Sequence, residues 1–340
     1  MMLRLLGHAA CLMLLLGCES DAPPMSTTEG AVMGTDYHIT WINPLAQDEQ
    51  VIREGLFNAL SDVDDTMSTY QETSELSRLN QSAINTRLDL SPDMTYLLGM
   101  ADDIHQQSGG AFDVTVGALV NLWGFGPDYK PDAVPDAEQI KVLLGQMGQP
   151  SLTINRQART LVKEKPVMID LSAIAKGYGV DKAAEYLESK GITRYMVEVG
   201  GEIRLKGPKL NGEPWRIAVE SPVGIREIYS VLSFNDAAMA TSGDYRNYFE
   251  KDGVRYSHTI DPRTGSPIRH NLASVSVLAE NTALADGWAT AFMVLGVEAG
   301  KRLAEEKGMA VYFIFKGEKG FEDWASTAFK QRVGNVEKNG

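Results

Sequence analysis

Hydrophobic positions recur along this chain with two different periods. Residues 37–42 alternate apolar and polar, the period-two pattern of a strand. From about residue 50 to 67, Val51, Leu56, Phe57, Leu60, Val63 and Met67 recur at helical spacing. A second helix is expected from about 91 to 107, with Ser91 as N-cap and Pro92 at the first helical position, and Gly109-Gly110 ends it. A Gly/Pro/Asp-rich loop over 124–135 leads into a short helix at 136–146. Short strands are expected around 152–155, 160–162 and 167–171. Residues 174–189 read as a helix that closes on Lys190-Gly191, a cation followed by a C-terminal glycine. The stretch 194–239 is strand-rich, punctuated by Gly200-Gly201, Asn211-Gly212 and Pro222. A strand at 273–278, helices at 283–295 and 297–307, a strand at 310–315 and a polar tail complete the pattern. Strands and helices come in mixed runs, without the regular alternation that builds a parallel sheet. The expected fold class is therefore α+β with antiparallel sheets and packed helices.

The first residues stand outside this pattern. Arg4 is followed by a short apolar run ending at Leu15-Leu16-Gly17-Cys18, too short to span a bilayer as a stable helix. It reads as a lipoprotein signal over 1–17, with cleavage before Cys18 and a lipid on that cysteine; an ordinary signal peptide with an incidental cysteine is the alternative. Residues 18–28 are small, polar and proline-containing, the composition of a tether. The folded domain is then 29–340. The expected location is a periplasmic membrane surface, the inner membrane before the outer.

The other cysteine, Cys11, lies in the segment to be removed. Disulfides, a thiolate nucleophile and a zinc cluster are thereby excluded from the mature domain. The five histidines show no metal-ligand spacing. A net charge of −13 argues against nucleic-acid binding and against an electrostatic dock on anionic lipid. An acidic protein that binds a phosphate ligand needs local help from a metal, a lysine or helix N-termini.

Four segments could supply such chemistry. Asp286 and Thr290 stand four apart, so a helix puts both hard oxygens on one face, which suits Mg²⁺. Ala283, Ala285, Ala289 and Ala291 around them are small enough for close approach. The plainer alternative is an acidic residue favoured near a helix start. Residues 169–179 run from a strand through a small-residue turn into a helix, where backbone amides and Lys176 could receive phosphate, although the glycine spacing is not that of a P-loop. Around the Asp261-Pro262-Arg263-Thr264-Gly265 turn, His258 could relay a proton, or simply cap the surface. At 240–245, Ser242 is a conceivable nucleophile with no pairing evident from sequence.

In order along the chain, these segments resemble one family, the FAD:protein FMN transferases or ApbE-type flavin transferases. The resemblance runs through Val32-Met33-Gly34-Thr35, Met67-Ser68-Thr69-Tyr70 and Ser74-Glu75-Leu76-Ser77-Arg78-Leu79-Asn80. It continues through Gly109-Gly110-Ala111-Phe112-Asp113-Val114-Thr115-Val116, the 170–179 segment, Val199-Gly200-Gly201-Glu202, 240–245, 258–265 and 286–290. Each piece is moderate; the ordered set is specific.

What the resemblance implies is an α+β fold of two T-fold-like halves and a Mg²⁺-dependent enzyme that takes FAD as substrate. FMN would pass to a threonine hydroxyl of an acceptor protein, and AMP would leave. Met33 and Tyr70 match contacts to FAD, with ordinary packing as their alternative. Ala111, Phe112 and Asp113 match the segment lining the cofactor, and Asp170, Lys176 and Ile260 match further FAD positions. Mg²⁺ would take the Ala173 carbonyl and the side chains of Asp286 and Thr290. Some relatives carry another acidic residue beside the threonine; here that place is Ala289. A site with fewer carboxylates leans more on water and phosphate. A threonine hydroxyl needs a base, for which His258 is the first choice and Asp244 the second. Acceptors by the same resemblance are subunits of membrane redox pumps. A Mg²⁺-dependent FAD pyrophosphatase and a non-catalytic FAD-binding lipoprotein are the other two readings.

Overall fold

A computed structural model describes residues 25–43, 45, 47–127, 134–222, 227–244 and 247–333, and the backbone of 337–338. The chain opens with the hairpin β1 (Met25–Val32) and β2 (Thr35–Ile42). Two helices follow, α1 (Glu49–Met67) and α2 (Glu75–Gln81), then β3 (Arg87–Asp89) and α3 (Pro92–Gln107). Helices α4 (Gly117–Leu122) and α5 (Ala137–Gln146) precede the short strands β4 (Leu152–Asn155) and β5 (Thr160–Lys163). Helix α6 (Ala175–Ser189) leads to β6 (Tyr195–Val199), β7 (Glu202–Lys206), β8 (Trp215–Glu220), β9 (Ile228–Phe234) and β10 (Ala237–Gly243). Two small hairpins come next, β11 (Tyr248–Lys251) with β12 (Val254–Ser257), and β13 (Ile260–Asp261) with β14 (Ser266–Pro267). The chain continues through β15 (Leu272–Ala279), α7 (Thr282–Glu306), β16 (Ala310–Gly317), β17 (Gly320–Ala325), α8 (Thr327–Val333) and β18 (Glu337–Lys338).

An eight-stranded sheet in the order β1-β2-β6-β7-β10-β15-β16-β17 organises the molecule, and every pair in it is antiparallel. Its two faces follow from strand alternation. On one face Tyr195, Val197 and Val199 of β6 pack against α1 and α6, and Val275, Val277, Val311 and Phe313 pack against α7. On the other, Ile203, Leu205, Leu278, Tyr312 and Ile314 meet Trp215, Ile217, Leu232 and Phe234 of the β8–β9 sheet, with Phe329 of α8. The sheet thus has a helical side and a strand side, the α+β arrangement expected.

Helix ends match their sequence signals. Ser91 accepts from the Met94 amide at 3.1 Å with Pro92 in the first turn, and Asp136 heads a capping box with Gln139. The two helices expected at 283–295 and 297–307 form α7, broken at Gly296 (φ 74°). A Cβ there would stand 2.9 Å from the His270 ring, so both the backbone angle and the neighbour require glycine.

Three expectations need correction. Residues 25–28, read as tether, pair with Ile42, Trp41, Thr40 and Ile39 as the first half of β1. Among the described residues, 167–171 form no ladder beyond one bridge between Met168 and Val116. Their backbone partners include the Asn80 side chain, which bonds both the amide and the carbonyl of Ile169. The polar tail folds as β17 and α8, because Trp324 packs against the central core and the fully buried Phe329 stacks on Tyr312. The signal segment and Cys18 lie outside the described residues.

Candidate active site

Two helix starts and two strand ends converge at one place on the helical side. Helix α6 begins just after a turn held by Asp170, whose Oδ1 accepts the Ser172 amide at 2.8 Å and the Ser172 hydroxyl. The Asp170 amide itself donates to the Val114 carbonyl at 2.7 Å, and Asn80 clamps the preceding residue. The intrahelical ladder opens with the Tyr178 amide on the Ile174 carbonyl at 3.2 Å, so the Ala173 carbonyl stands before it.

Helix α7 starts with its amides anchored. Asn281 caps it by accepting from the Leu284 amide, and the buried Asp181 carboxylate accepts from the amides of Thr282 and Ala283, each at 2.9 Å. Arg204 holds Asp181 at 2.8 Å. Asp286 comes one turn later, 2 % exposed. Its Oδ2 accepts the Gly177 amide at 3.0 Å, one of the donors that the first turn of α6 leaves unpaired. The crossing depends on Gly177: a Cβ there would lie 2.4 Å from the Thr282 carbonyl oxygen and 2.8 Å from the Asp286 Cβ. Thr290, four residues after Asp286, puts its Oγ1 3.4 Å from the Ser242 hydroxyl at the end of β10. Ala289 beside it is buried.

Lys176 occupies the centre. Its ammonium lies 3.5 Å from Glu202 Oε1, 3.8 Å from Asp286 Oδ2 and 3.5 Å from the Ser172 carbonyl oxygen, to which it donates. Burial opposes the lysine charge, but Asp286 and Glu202 outweigh it and hold the Lys176 pKa above the usual lysine value. The carboxylates are raised in turn. Burial drives both upward; Lys176 opposes the rise, and the proximity of Asp286 adds to it at Glu202. Two buried acids therefore share one partly exposed cation.

His258 follows β12 and is half-buried, edge-on to Phe125 at 6.3 Å. Its Nδ1 lies 3.0 Å from the Asn247 carbonyl, which also accepts the His258 amide. Donation from Nδ1 to that carbonyl leaves Nε2 with a free lone pair when the ring is neutral. Burial lowers its pKa below the ordinary histidine value, and the Lys176 charge acts in the same direction. The strand end is fixed by an apolar cluster of Trp123, Phe249, Tyr256 and Ile260, with the Trp123 indole donating to the Gly265 carbonyl. Asp244, the second choice of base, is half-buried with a pKa raised by burial, which the Arg255 charge opposes. Ser242 has the Thr290 hydroxyl as neighbour and touches no histidine or carboxylate among the described residues.

The remaining sequence-derived positions surround this centre. Tyr70 is 68 % exposed, and partial desolvation and then the Asp170 charge raise its hydroxyl pKa. Met33 sits at φ 52° in the β1–β2 turn, and its sulfur lies 3.0 Å from where a Gly179 Cβ would be, so it rests on α6. Ala111 and Phe112 are buried in the central core, and Ile260 in the cluster under His258. The Asp113 carboxylate is filled by the Thr115 amide and hydroxyl on one oxygen and the Gln149 amide on the other. It shapes its loop through those bonds. Glu202 was not singled out as a site residue from sequence; its signal was the Gly-Gly-Glu segment, where Gly200 and Gly201 take positive φ of 61° and 104° and turn the chain back into β7.

Among the described residues no three His, Cys, Asp or Glu side chains cluster to hold a metal. A cation here would rest on the Asp286 carboxylate, the Thr290 hydroxyl and the Ala173 carbonyl, all hard oxygens of the kind Mg²⁺ takes alongside water and phosphate. The donor set fits.

The chain is similar to known proteins in sequence and in overall fold. Residues 33–313 match the model of the ApbE family. A Vibrio cholerae protein named FAD:protein FMN transferase is 47 % identical over 324 residues, covering 94 % of this chain and 96 % of that protein. One of the same name from Haemophilus influenzae is 43 % identical over 325 residues, covering 93 % and 94 %. Among solved structures, the flavin transferase ApbE from Vibrio cholerae superimposes with a TM-score of 0.85 at 44 % identity, over 92 % of this chain and 100 % of the other. The apo form of Pseudomonas stutzeri flavinyl transferase ApbE gives 0.85 at 36 % identity, over 92 % and 98 %. The chain belongs to the ApbE family.

Proposed function

We propose that this chain is a Mg²⁺-dependent FAD:protein FMN transferase that moves FMN from FAD onto a threonine hydroxyl of an acceptor protein and releases AMP. One observation carries the reading: the partly exposed Lys176 ammonium and a hard-oxygen set meet at the start of α6, with His258 close enough to feel the lysine charge. Lys176 at 3.5–3.8 Å from two carboxylates supplies positive charge for a pyrophosphate in an otherwise acidic protein. Asp286, Thr290 and the Ala173 carbonyl would hold Mg²⁺, which when bound neutralises charge on phosphate oxygens. Lys176 and the first-turn amides of α6 orient the pyrophosphate. The threonine oxygen forms a bond to the FMN-side phosphorus as the bond from that phosphorus to the bridging oxygen breaks. The hydroxyl proton passes to His258 Nε2, and AMP departs with the bridging oxygen.

The Leu15–Cys18 pattern supports a lipid anchor at Cys18 and a place at a periplasmic membrane surface, the inner membrane favoured. No helix among the described residues is long and apolar enough to cross a membrane. The resemblance that suggested the activity also suggests the acceptors, subunits of membrane redox pumps. Incubating the chain with FAD and Mg²⁺, with and without a threonine-containing acceptor fragment, tests the activity. FMN should become protein-bound when the acceptor is present. Free FMN and AMP in equal amounts, with an unmodified acceptor, would establish a pyrophosphatase instead.

A further inference from the structure

Strand β7 and helix α6 face each other through three successive ionic rungs. Glu202, Arg204 and Lys206 lie on one face of β7, two residues apart. Glu202 meets Lys176, Arg204 meets Asp181 at 2.8 Å, and Lys206 meets Glu188 at 3.1 Å. The last two rungs have evident structural uses. Asp181 also anchors two amides of α7, and Glu188 also accepts from the Tyr195 hydroxyl.

The first rung differs. Glu202 is 3 % exposed, its Oε2 has no hydrogen-bond partner, and Lys176 is its side-chain partner among the described residues. Buried Asp181 and Asp113, by contrast, have both oxygens occupied by backbone amides or other donors. Leaving a buried carboxylate oxygen unpaired is unfavourable, so register alone does not account for a glutamate here. Lys176 also leans on Asp286, but Asp286 Oδ2 is shared with the Gly177 amide and is the oxygen-bearing group of the hard-oxygen set. Once a cation draws on Asp286, Glu202 and the Ser172 carbonyl remain to hold the ammonium. At 3.5 Å from each, the ammonium is steered and keeps a donor for a phosphate oxygen.

We propose that Glu202 is a positioning residue for flavin transfer, keeping the Lys176 ammonium aimed at the transferring phosphate when Asp286 is engaged with the divalent cation. This rests on the FMN-transfer reading above. The test is a double-mutant cycle in the full chain with FAD, Mg²⁺ and an acceptor fragment, using Glu202→Gln, Lys176→Met and their combination. Glu202→Gln should lower kcat on the order of a hundredfold, as for a misplaced group, with a smaller change in KM for FAD. In the Lys176→Met background the same change should have little further effect. Glu202→Asp, which keeps the charge, should transfer faster than Glu202→Gln. Independent, multiplicative effects overturn the proposal. So does a Glu202→Gln protein that melts earlier but transfers at the native rate, the behaviour of a register rung alone. Should Lys176→Met fail to fold, the order of the Asp and Gln variants decides. Should the unsubstituted chain transfer no FMN, the functional reading fails by itself, and the same cycle read in FAD affinity still decides whether Glu202 acts through Lys176.

Discussion

A histidine serves as a base only in its neutral form, and the surroundings of His258 favour that form. Burial lowers its pKa, with Lys176 adding to the effect. The neutral ring should therefore persist as pH falls through the ordinary histidine value of about 6.5. Transfer should stay flat from neutral pH down past that value and decline below it; an acid limb centred at or above it would count against His258. His258→Ala should keep FAD binding and lose transfer by roughly a hundred- to ten-thousand-fold. A variant that binds FAD and transfers at the native rate would remove the residue from the mechanism. Asp286→Ala should abolish transfer, as should EDTA on the native chain, with recovery on added Mg²⁺; full activity in EDTA contradicts the metal assignment. At this scale the sequence was informative where spacing alone places groups. The four-residue interval from Asp286 to Thr290 does so. It was silent where a group is placed by the fold, as with Glu202, brought to Lys176 across a strand–helix contact.

The site depends on how closely α6 and α7 approach. A Cβ on Gly177 would run into the Thr282 carbonyl and the Asp286 Cβ, the former backbone of α7. Gly177→Ala should push the helices apart, cost about 1–3 kcal/mol of stability as overpacking does, and reduce Mg²⁺-dependent transfer. A melting curve beside an activity assay checks this; an unchanged pair of values would show that the crossing is not what fixes Asp286. Helices were legible because capping and periodicity are local: Ser91, Asp136 and the 174–189 pattern all reappear as ends or bodies of helices. The stretch 167–171 misled because apolar runs in loops and in strands look alike. There the Asn80 side chain takes up backbone bonds that a neighbouring strand would have made. The tail misled for the opposite reason: its apolar residues are too widely spaced to stand out before Phe329 meets Tyr312.

The whole molecule joins segments far apart in sequence, and that order was not readable beforehand. Strand β2 pairs with β6 across most of the N-terminal half, and β7 pairs with β10 rather than β8. The edge strand β1 begins at Met25, with Ser26 donating to Glu49. A chain starting at Met25 should fold and transfer at the full-length rate. One starting at Glu29 loses the pairing of residues 25–28 and should melt earlier. Equal stability of the two truncations would return those residues to the tether. On the proposed lipid anchor, Cys18→Ser should release the chain from the membrane fraction and leave its activity intact; a variant that stays in the membrane fraction contradicts the anchor. The central claim is that this chain moves FMN onto a threonine. Its most direct test is tandem mass spectrometry of a threonine-containing acceptor fragment after incubation with the chain, FAD and Mg²⁺, beside the Asp286→Ala variant. The expected result is one FMN phosphoester mapped to threonine with the native chain and none with the variant. An unmodified fragment, or FMN attached through another residue type, would contradict it.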